Sequence, residues 1–443
     1  MVTSINDKKP ATPRPAVKEF VILGGASAYA PGLLQALIAQ GNELGLKRVR
    51  LYDTHAENLE LVGRLGQAMA KSAGASFNVE TCSTLALALT GADVVLNSTR
   101  PGGFEARRID ETLPLELDIP GQETVGPGGF FFALRSVPEA LRVAQTLASV
   151  APDALLLNYT NPSNIVTQAL TDRGNVRLLG LCDQSDEDLE SLAHALGREG
   201  EKISFACNGL NHATWYSDLQ IDGEALPLPL TRHLATPEGM NREHQLRFEL
   251  SQKMALDTPG YWPNSYLPYY TAPDQFVRLA REQGPRSDTI VAKLPSYYAH
   301  FREEAAKETP HLQHHRGTAG FGDLAVKVIE ALKTTAGKAL VLNVANRGTT
   351  DLFAENTVME AHGQLSANGW QRQAAPAIPK ARLALLKQLE SYQHLAALAA
   401  RSGQTNDILA ALEANPLVAS QSKAQALWKL AQTQYGALLP QLA

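Results

Sequence analysis

The chain predicts a Rossmann-like α/β fold, a doubly wound parallel sheet, on three observations. An apolar run from Phe20 to Leu23 enters a Gly24-Gly25 turn, and a helical pattern from Leu33 to Ile38 follows it. Apolar runs recur at Val49 to Tyr52, Asp93 to Asn97 and Ala154 to Tyr159, with helical periodicity between them. Such short, continuous apolar runs are the strands of sheets covered on both faces, and their alternation with helices gives parallel order.

The opening segment, residues 1–18, mixes Pro, Thr and Lys without an apolar stretch, so it reads as a mobile tail and not as a secretory signal. A cytoplasmic protein is expected. Residues 19–205 then form the nucleotide-binding domain. In such a domain the first turn brings backbone N–H groups to a pyrophosphate at a helix N-terminus, and an acid ending the second strand holds the ribose hydroxyls. Gly24, Gly25 and Ser27 supply the turn and Asp53 the acid, which favours NAD over its 2′-phosphorylated relative. Ala26 stands in place of a third glycine, so the strict GxGxxG pattern is absent, and the two glycines could also do no more than close a tight turn.

Beyond His212 the pattern changes to polar loops, a Pro- and Tyr-rich stretch at 260–270, and amphipathic helices over 322–332 and from Lys380 onward. Leu340 to Val344 is a plausible strand. Residues 206–443 therefore read as a mixed α+β region for substrate and subunit contacts, with no clean linker before it.

Composition narrows the function. At 443 residues the chain is too long for one simple core, so a cleft between two packed regions is expected. With 44% hydrophobic and 19% charged residues it has the balance of a soluble protein, and no run approaches the roughly 20 apolar residues of a membrane span. A net charge of −5 without a basic cluster argues against nucleic acid as a partner. Cys82, Cys182 and Cys207 are too few and scattered for a disulfide framework, so a cysteine with a function is more readily a ligand.

Further segments carry a resemblance: NSTRPGGFEARRIDE (97–111), GQETVGPGGFFFALRS (121–136), NYTNPSNIVTQAL (158–170), GLCD (180–183), GLNH (209–212) and SYLPYY (265–270). In this order, from about residue 19 to about 370, the chain resembles glycoside hydrolase family 4, whose NAD- and manganese-dependent members include 6-phospho-glucosidases, α-galactosidases and α-glucuronidases. The resemblance implies a lactate/malate dehydrogenase-like fold. It also implies hydrolysis without the usual two carboxylates: hydride leaves carbon 3 of the sugar for NAD, a base removes the carbon 2 proton, the aglycone is eliminated from carbon 1, water adds and the hydride returns.

The resemblance assigns residues as well. Cys182 and His212 match the two protein ligands of a divalent metal, manganese by the resemblance, although thiolate and imidazole bind several transition ions. The bland alternative is a buried small hydrophobe and a satisfied loop histidine. Tyr266 matches the carbon 2 base, with an aromatic packing cluster as its alternative. Asp183 matches the acid that α-specific 6-phospho-glucosidases place beside the metal cysteine, or else is a capping or supporting carboxylate. Arg100, Asn161 and Arg286 match positions that hold the sugar or its phosphate, and Gln122 and Glu123 are expected in the same cleft. Cys207, outside these motifs, is expected in the core.

Anomeric preference is mixed. Asp183 is an α-type feature, whereas GGFEARRIDE, ALRSVPEAL and RGTAGFGDLA (316–325) lean toward the β-glucosidase branch. The segments Gln184 to Glu187 and Glu360 to Gly363, with Pro268 and Pro285, depart from both. A plain dehydrogenase and a non-catalytic sensor on the same scaffold are the competing readings. A small phosphoglycoside is the expected partner, and the family implies a homo-oligomer.

Overall fold

The computed structural model describes residues 17–440, apart from 229, 231, 232, 317 and 318. Residues 1–16 of the expected tail lie outside the described residues, as do 317 and 318 of the segment 316–325. Six strands form the parallel part of the main sheet: β1 (Glu19–Leu23), β2 (Arg48–Tyr52), β3 (Asn78–Thr81), β4 (Val94–Asn97), β5 (Leu155–Asn158) and β6 (Arg177–Gly180). Their spatial order, β6-β5-β4-β1-β2-β3, is that of the doubly wound fold, with the chain reversing direction between β1 and β4. The central strands β1, β4 and β5 are apolar almost throughout because helices cover both faces; Phe20, Val95, Leu96 and Leu156 are fully buried.

Four further strands, β7 (Ile203–Leu210), β8 (Ala213–Ile221), β9 (Glu224–Ala225) and β10 (Trp262–Pro263), make a separate antiparallel sheet. The expected boundary at 205/206 falls inside β7. Three later strands, β11 (Lys338–Ala345), β12 (Val358–Ser366) and β13 (Gly369–Arg372), then return to the main sheet and extend it to nine strands. The strand anticipated at 340–344 is thus β11, and it pairs antiparallel with β6 through Asn343 and Gly180. Glycine is required there, since a Cβ at Gly180 would lie 2.7 Å from that of Asn343. This addition covers what would otherwise be an open sheet edge at β6.

The helices expected at 322–332 and from Lys380 correspond to Ala319–Lys333 and to Leu383–Ser402, Thr405–Ala414 and Gln421–Gln434. Helix Leu383–Ser402 packs on Gly126–Val150 and Ser163–Arg173, so the end of the chain covers one face of the sheet. Among the described residues no helix is long and apolar enough to cross a membrane.

Candidate active site

A cleft of about 720 Å³ opens over the C-terminal ends of β1, β4 and β5, at the reversal point between β1 and β4, and extends past Asp183 to helices of the second half. Crevices at this position are where doubly wound sheets bind ligands.

One wall is made by backbone. Gly24 and Gly25 both donate to the Tyr52 carbonyl at 3.0 Å, which folds the turn against the end of β2. Gly24 has φ +90°, and a Cβ there would lie 2.8 Å from the Ser98 carbonyl oxygen; one at Gly25 would lie 2.8 Å from the Leu51 Cβ. Neither position admits a side chain without movement. The Asp53 carboxylate accepts from Ala26 N at 3.1 Å and His55 N at 3.0 Å, so it sits against the turn, and Ser27 faces the cleft. These four residues meet at the N-terminus of helix Ala30–Leu44, where unsatisfied N–H groups favour an anion.

Behind Tyr266 and next to Asp183 lie the sulfur and imidazole. Cys182 follows β6, and His212 lies in the turn between β7 and β8 with φ +63°, a conformation a β-carbon disfavours and the surroundings must hold. Cys182 Sγ and His212 Nε2 are 3.5 Å apart. Two ligands at bond lengths of about 2.3 Å (S) and about 2.0–2.1 Å (N) on one ion have about this separation. Burial and Glu360 push the Cys182 thiol well up, while burial and Arg247 push His212 down to about 3. The neutral imidazole is a ready ligand, and the thiol loses its proton when a cation binds. Among the described residues no cluster of three or more His, Cys, Asp or Glu is arranged to hold a metal. The pair therefore suits an ion that completes its coordination with other oxygens.

Tyr266 stands over this pair, its ring stacked on His212 with centroids 4.1 Å apart and planes at 12°. Arg247, from helix Arg242–Leu256, lies 3.8 Å from the centroid of the same ring and donates to the Ser265 carbonyl at 3.1 Å. Asp188 accepts from Ser265 N, and Asn264 Oδ1 accepts from Tyr266 N, both at 3.0 Å, so the turn before Tyr266 is fixed by side chains. Burial raises the Tyr266 phenol above its ordinary value, and Arg247 opposes the rise.

Asp183 occupies the N-cap position of helix Gln184–Leu196, yet its side chain makes no capping bond. It faces the cleft beside Tyr159, and burial raises its carboxyl. Glu187, one turn on, is lifted to about 7 by burial and the Asp183 charge against the pull of Arg247 and Arg286.

The opposite lip is cationic. Arg100 ion-pairs with Glu123, which also takes Arg107 at 3.0 Å. Although burial opposes it, Arg100, Arg107 and Arg316 hold Glu123 down to about 2. An anion at Arg100 thus competes with a carboxylate already in place. Gln122 reaches the cleft, but its carbonyl oxygen accepts from Thr124 Oγ1 at 2.8 Å and Val125 N at 3.2 Å, which fixes the local turn. Asn161, before a cis Pro162, lines the cleft next to Asp183 and Tyr159. Arg286 begins helix Arg286–Glu304, is exposed, and lies 3.4 Å from His244 Nε2, so guanidinium and helix N-terminus add at one spot.

The cleft thus brings together Ser27 of the turn, Tyr266, Asp183, Arg100, Asn161, Arg286, Gln122 and Glu123, with the Cys182–His212 pair beneath Tyr266 and Gly24, Gly25 and Asp53 behind Ser27. Cys207 is buried in the core, as expected. Sequence reasoning missed Arg107, Glu187, Arg247 and Arg316. Arg247 had a signal: Glu243, Arg247 and Ser251 put polar side chains at four-residue spacing on the helix face that also carries Leu250 and Met254, a face otherwise expected to be apolar.

Comparison with known proteins accounts for this arrangement. Residues 19–197 match the family 4 glycosyl hydrolase model, and residues 207–418 match the model of its C-terminal domain. The 6-phospho-beta-glucosidase of Escherichia coli is 27% identical over 426 residues, 92% of this chain and 93% of its own. The 6-phospho-alpha-glucosidase of Leptotrichia buccalis is 25% identical over 430 residues, 93% and 96% of the two chains. A crystal structure of a 6-phospho-alpha-glucosidase from gut microorganisms, in complex with NAD and Mn2+, superposes with a TM-score of 0.88 at 26% identity, covering 96% of this chain and all of the other. Malate dehydrogenase from Plasmodium falciparum, at TM-score 0.54 and 10% identity over 87% of this chain and 99% of its own, shares the fold alone. The chain belongs to family 4 of the glycosyl hydrolases and is a glycoside hydrolase.

Proposed function

We propose that the protein is an NAD- and manganese-dependent 6-phospho-glucosidase that cleaves its substrate by oxidation, elimination, hydration and reduction. The reading is carried by one observation: Tyr266 stacks on one member of a Cys182–His212 donor pair in a cleft that begins at a dinucleotide-type turn. When bound, NAD would accept and return hydride at carbon 3, and the divalent ion would supply Lewis-acid polarisation of the sugar oxygens.

The remaining roles belong to this chain. Gly24, Gly25 and Ser27 receive the pyrophosphate, and Asp53 the ribose. Cys182 and His212 hold the ion. Tyr266 takes the proton from carbon 2, its phenolate favoured by Arg247 and by the bound cation against burial. Arg286, at a helix N-terminus on the cleft rim, meets the 6-phosphate, while Arg100 and Asn161, with Gln122 and Glu123 behind them, orient the sugar.

The proposed anomer is β, on the segments 102–111, 133–141 and 316–325. Asp183 favours a second reading, in which it protonates the leaving oxygen of an α-glucoside; its support is that it lines the cleft and makes no capping bond. A division of the chain at 205/206, a cytoplasmic setting and a homo-oligomer complete the proposal.

The test is nitrophenol release from α- and β-glucosides with and without a 6-phosphate, plus galactosides and glucuronides, each with NAD, manganese and thiol, and again without NAD or with chelator. Release of one 6-phosphoglucoside that requires both additions, with no net NADH, is the expected result. Release that survives chelator, or stoichiometric NADH, contradicts the proposal.

A further inference from the structure

Glu360, in the middle of β12, is fully buried, and no cation pairs with it among the described residues. Burying a carboxylate without a counter-charge is costly, so its hydrogen bonds carry the compensation. Both oxygens are engaged by the hairpin: Oε1 accepts from Asn211 Nδ2 at 3.0 Å, and Oε2 accepts from the Thr214 hydroxyl. Those partners flank His212, the residue held at φ +63° in the β7–β8 turn. β12 packs against β7, so a strand of the main sheet grips the hairpin of the small one.

The grip also fixes the Asn211 amide. With Nδ2 facing the Glu360 carboxylate, the flipped amide would set two oxygens against each other. The Asn211 carbonyl oxygen has no partner of its own among the described residues, so nothing on that side selects the orientation. One carboxylate thereby fixes the turn that presents His212 from both sides, and such supporting partners hold a metal ligand in its binding geometry.

We propose that Glu360 is a positioning residue for the Cys182–His212 pair, acting through Asn211 and Thr214 on the turn that presents the imidazole. The inference rests on the reading of that pair as a metal site. It also gives a role to the segment Glu360–Gly363, which the sequence reading could only mark as a departure from the 6-phospho-glucosidase patterns.

Titration of the metal-free protein with Co2+ tests it, because a thiolate ligand produces a sulfur-to-cobalt charge-transfer absorption that a structural role would not move. The wild-type protein should show this band. Glu360→Gln, which keeps the shape but lets the amide turn, should weaken Co2+ and Mn2+ binding by about 10–100-fold and reduce or shift the band. NAD affinity and far-UV circular dichroism should stay unchanged. Asn211→Leu should lose affinity similarly, and Thr214→Val, which removes one of the two grips, should lose less. If Glu360→Gln fails to fold, the other two variants carry the test. Folded variants that bind Co2+ with wild-type affinity and an unaltered band overturn the inference. A wild-type protein that binds Co2+ without the band overturns the metal pair itself, and the inference with it.

Discussion

The two walls of the cleft are built on different principles. On the β1–β2 side the surface is backbone: two glycines bonded to one carbonyl and one aspartate holding the turn from the neighbouring strand. On the β8–β10 side it is a lattice of side chains, in which Arg247, Asp188 and Asn264 hold the turn that presents Tyr266. The first wall is specified by which residues lack a side chain. The second depends on many buried polar groups being satisfied together.

If that contrast holds, the walls should respond to different changes. Tyr266→Phe keeps the ring on His212 and beneath Arg247 but removes the proton acceptor, so turnover should fall by about 10²–10⁴-fold while NAD affinity is unchanged. Single-turnover kinetics beside calorimetric NAD titration check this, and an equal loss of NAD affinity would show that the walls are not independent. Arg286→Ala should raise KM for a 6-phosphorylated glucoside by about 10–100-fold, the worth of about 1.5–3 kcal/mol from a charged hydrogen bond. Equal KM changes for a phosphorylated and a neutral glucoside would remove the phosphate from that end of the cleft.

On the backbone wall, Gly24→Ala forces a β-carbon into a left-handed position against Ser98. It should weaken NAD binding and lower stability by about 1–2 kcal/mol, with the glucoside KM unaffected. Wild-type NAD affinity in this variant would mean that the turn does not set the site.

The smallest effect is electrostatic. The Glu187 carboxyl is raised to about 7 in the folded chain, so the folded state binds its proton more tightly than the unfolded chain does. Its contribution is therefore complete below the ordinary glutamate range and is lost as pH rises toward 7. Glu187→Gln should flatten the fall in melting temperature between about pH 4.5 and 7 relative to wild type. Parallel curves for the two proteins would place Glu187 in ordinary solvent.

The contrast also explains what could be read from the chain. Strand and turn of the first wall were legible because their requirements are local: an apolar run, a residue without Cβ, an acid at the next strand end. The strand at 340–344 was legible as an element but not as part of the main sheet, since its pairing with β6 spans more than the length of a domain in sequence. Cys182, His212 and Tyr266 were singled out through the motifs that surround them, and the fold brings the three together. Arg107, Arg247 and Arg316 were not, because an isolated arginine in a sequence reads as a solvated surface charge. Arg247 in fact lies buried under Tyr266, and Arg107 is buried between Glu111 and Glu123. Folding gives these charges their partners: Glu111 and Glu123 for Arg107, the Tyr266 turn for Arg247, and the rings of Tyr29 and Phe104 for Arg316.

The central claim is that bond cleavage here proceeds through loss of the carbon 2 proton. Hydrolysis in D2O, with NAD and manganese present and the released sugar examined by NMR and mass spectrometry, tests it directly. Deuterium at carbon 2 of the product is the predicted result, and it should fall with turnover in Tyr266→Phe. A product with only protium at carbon 2, formed at the full rate, would mean that the glycosidic bond is displaced without elimination and would contradict the account.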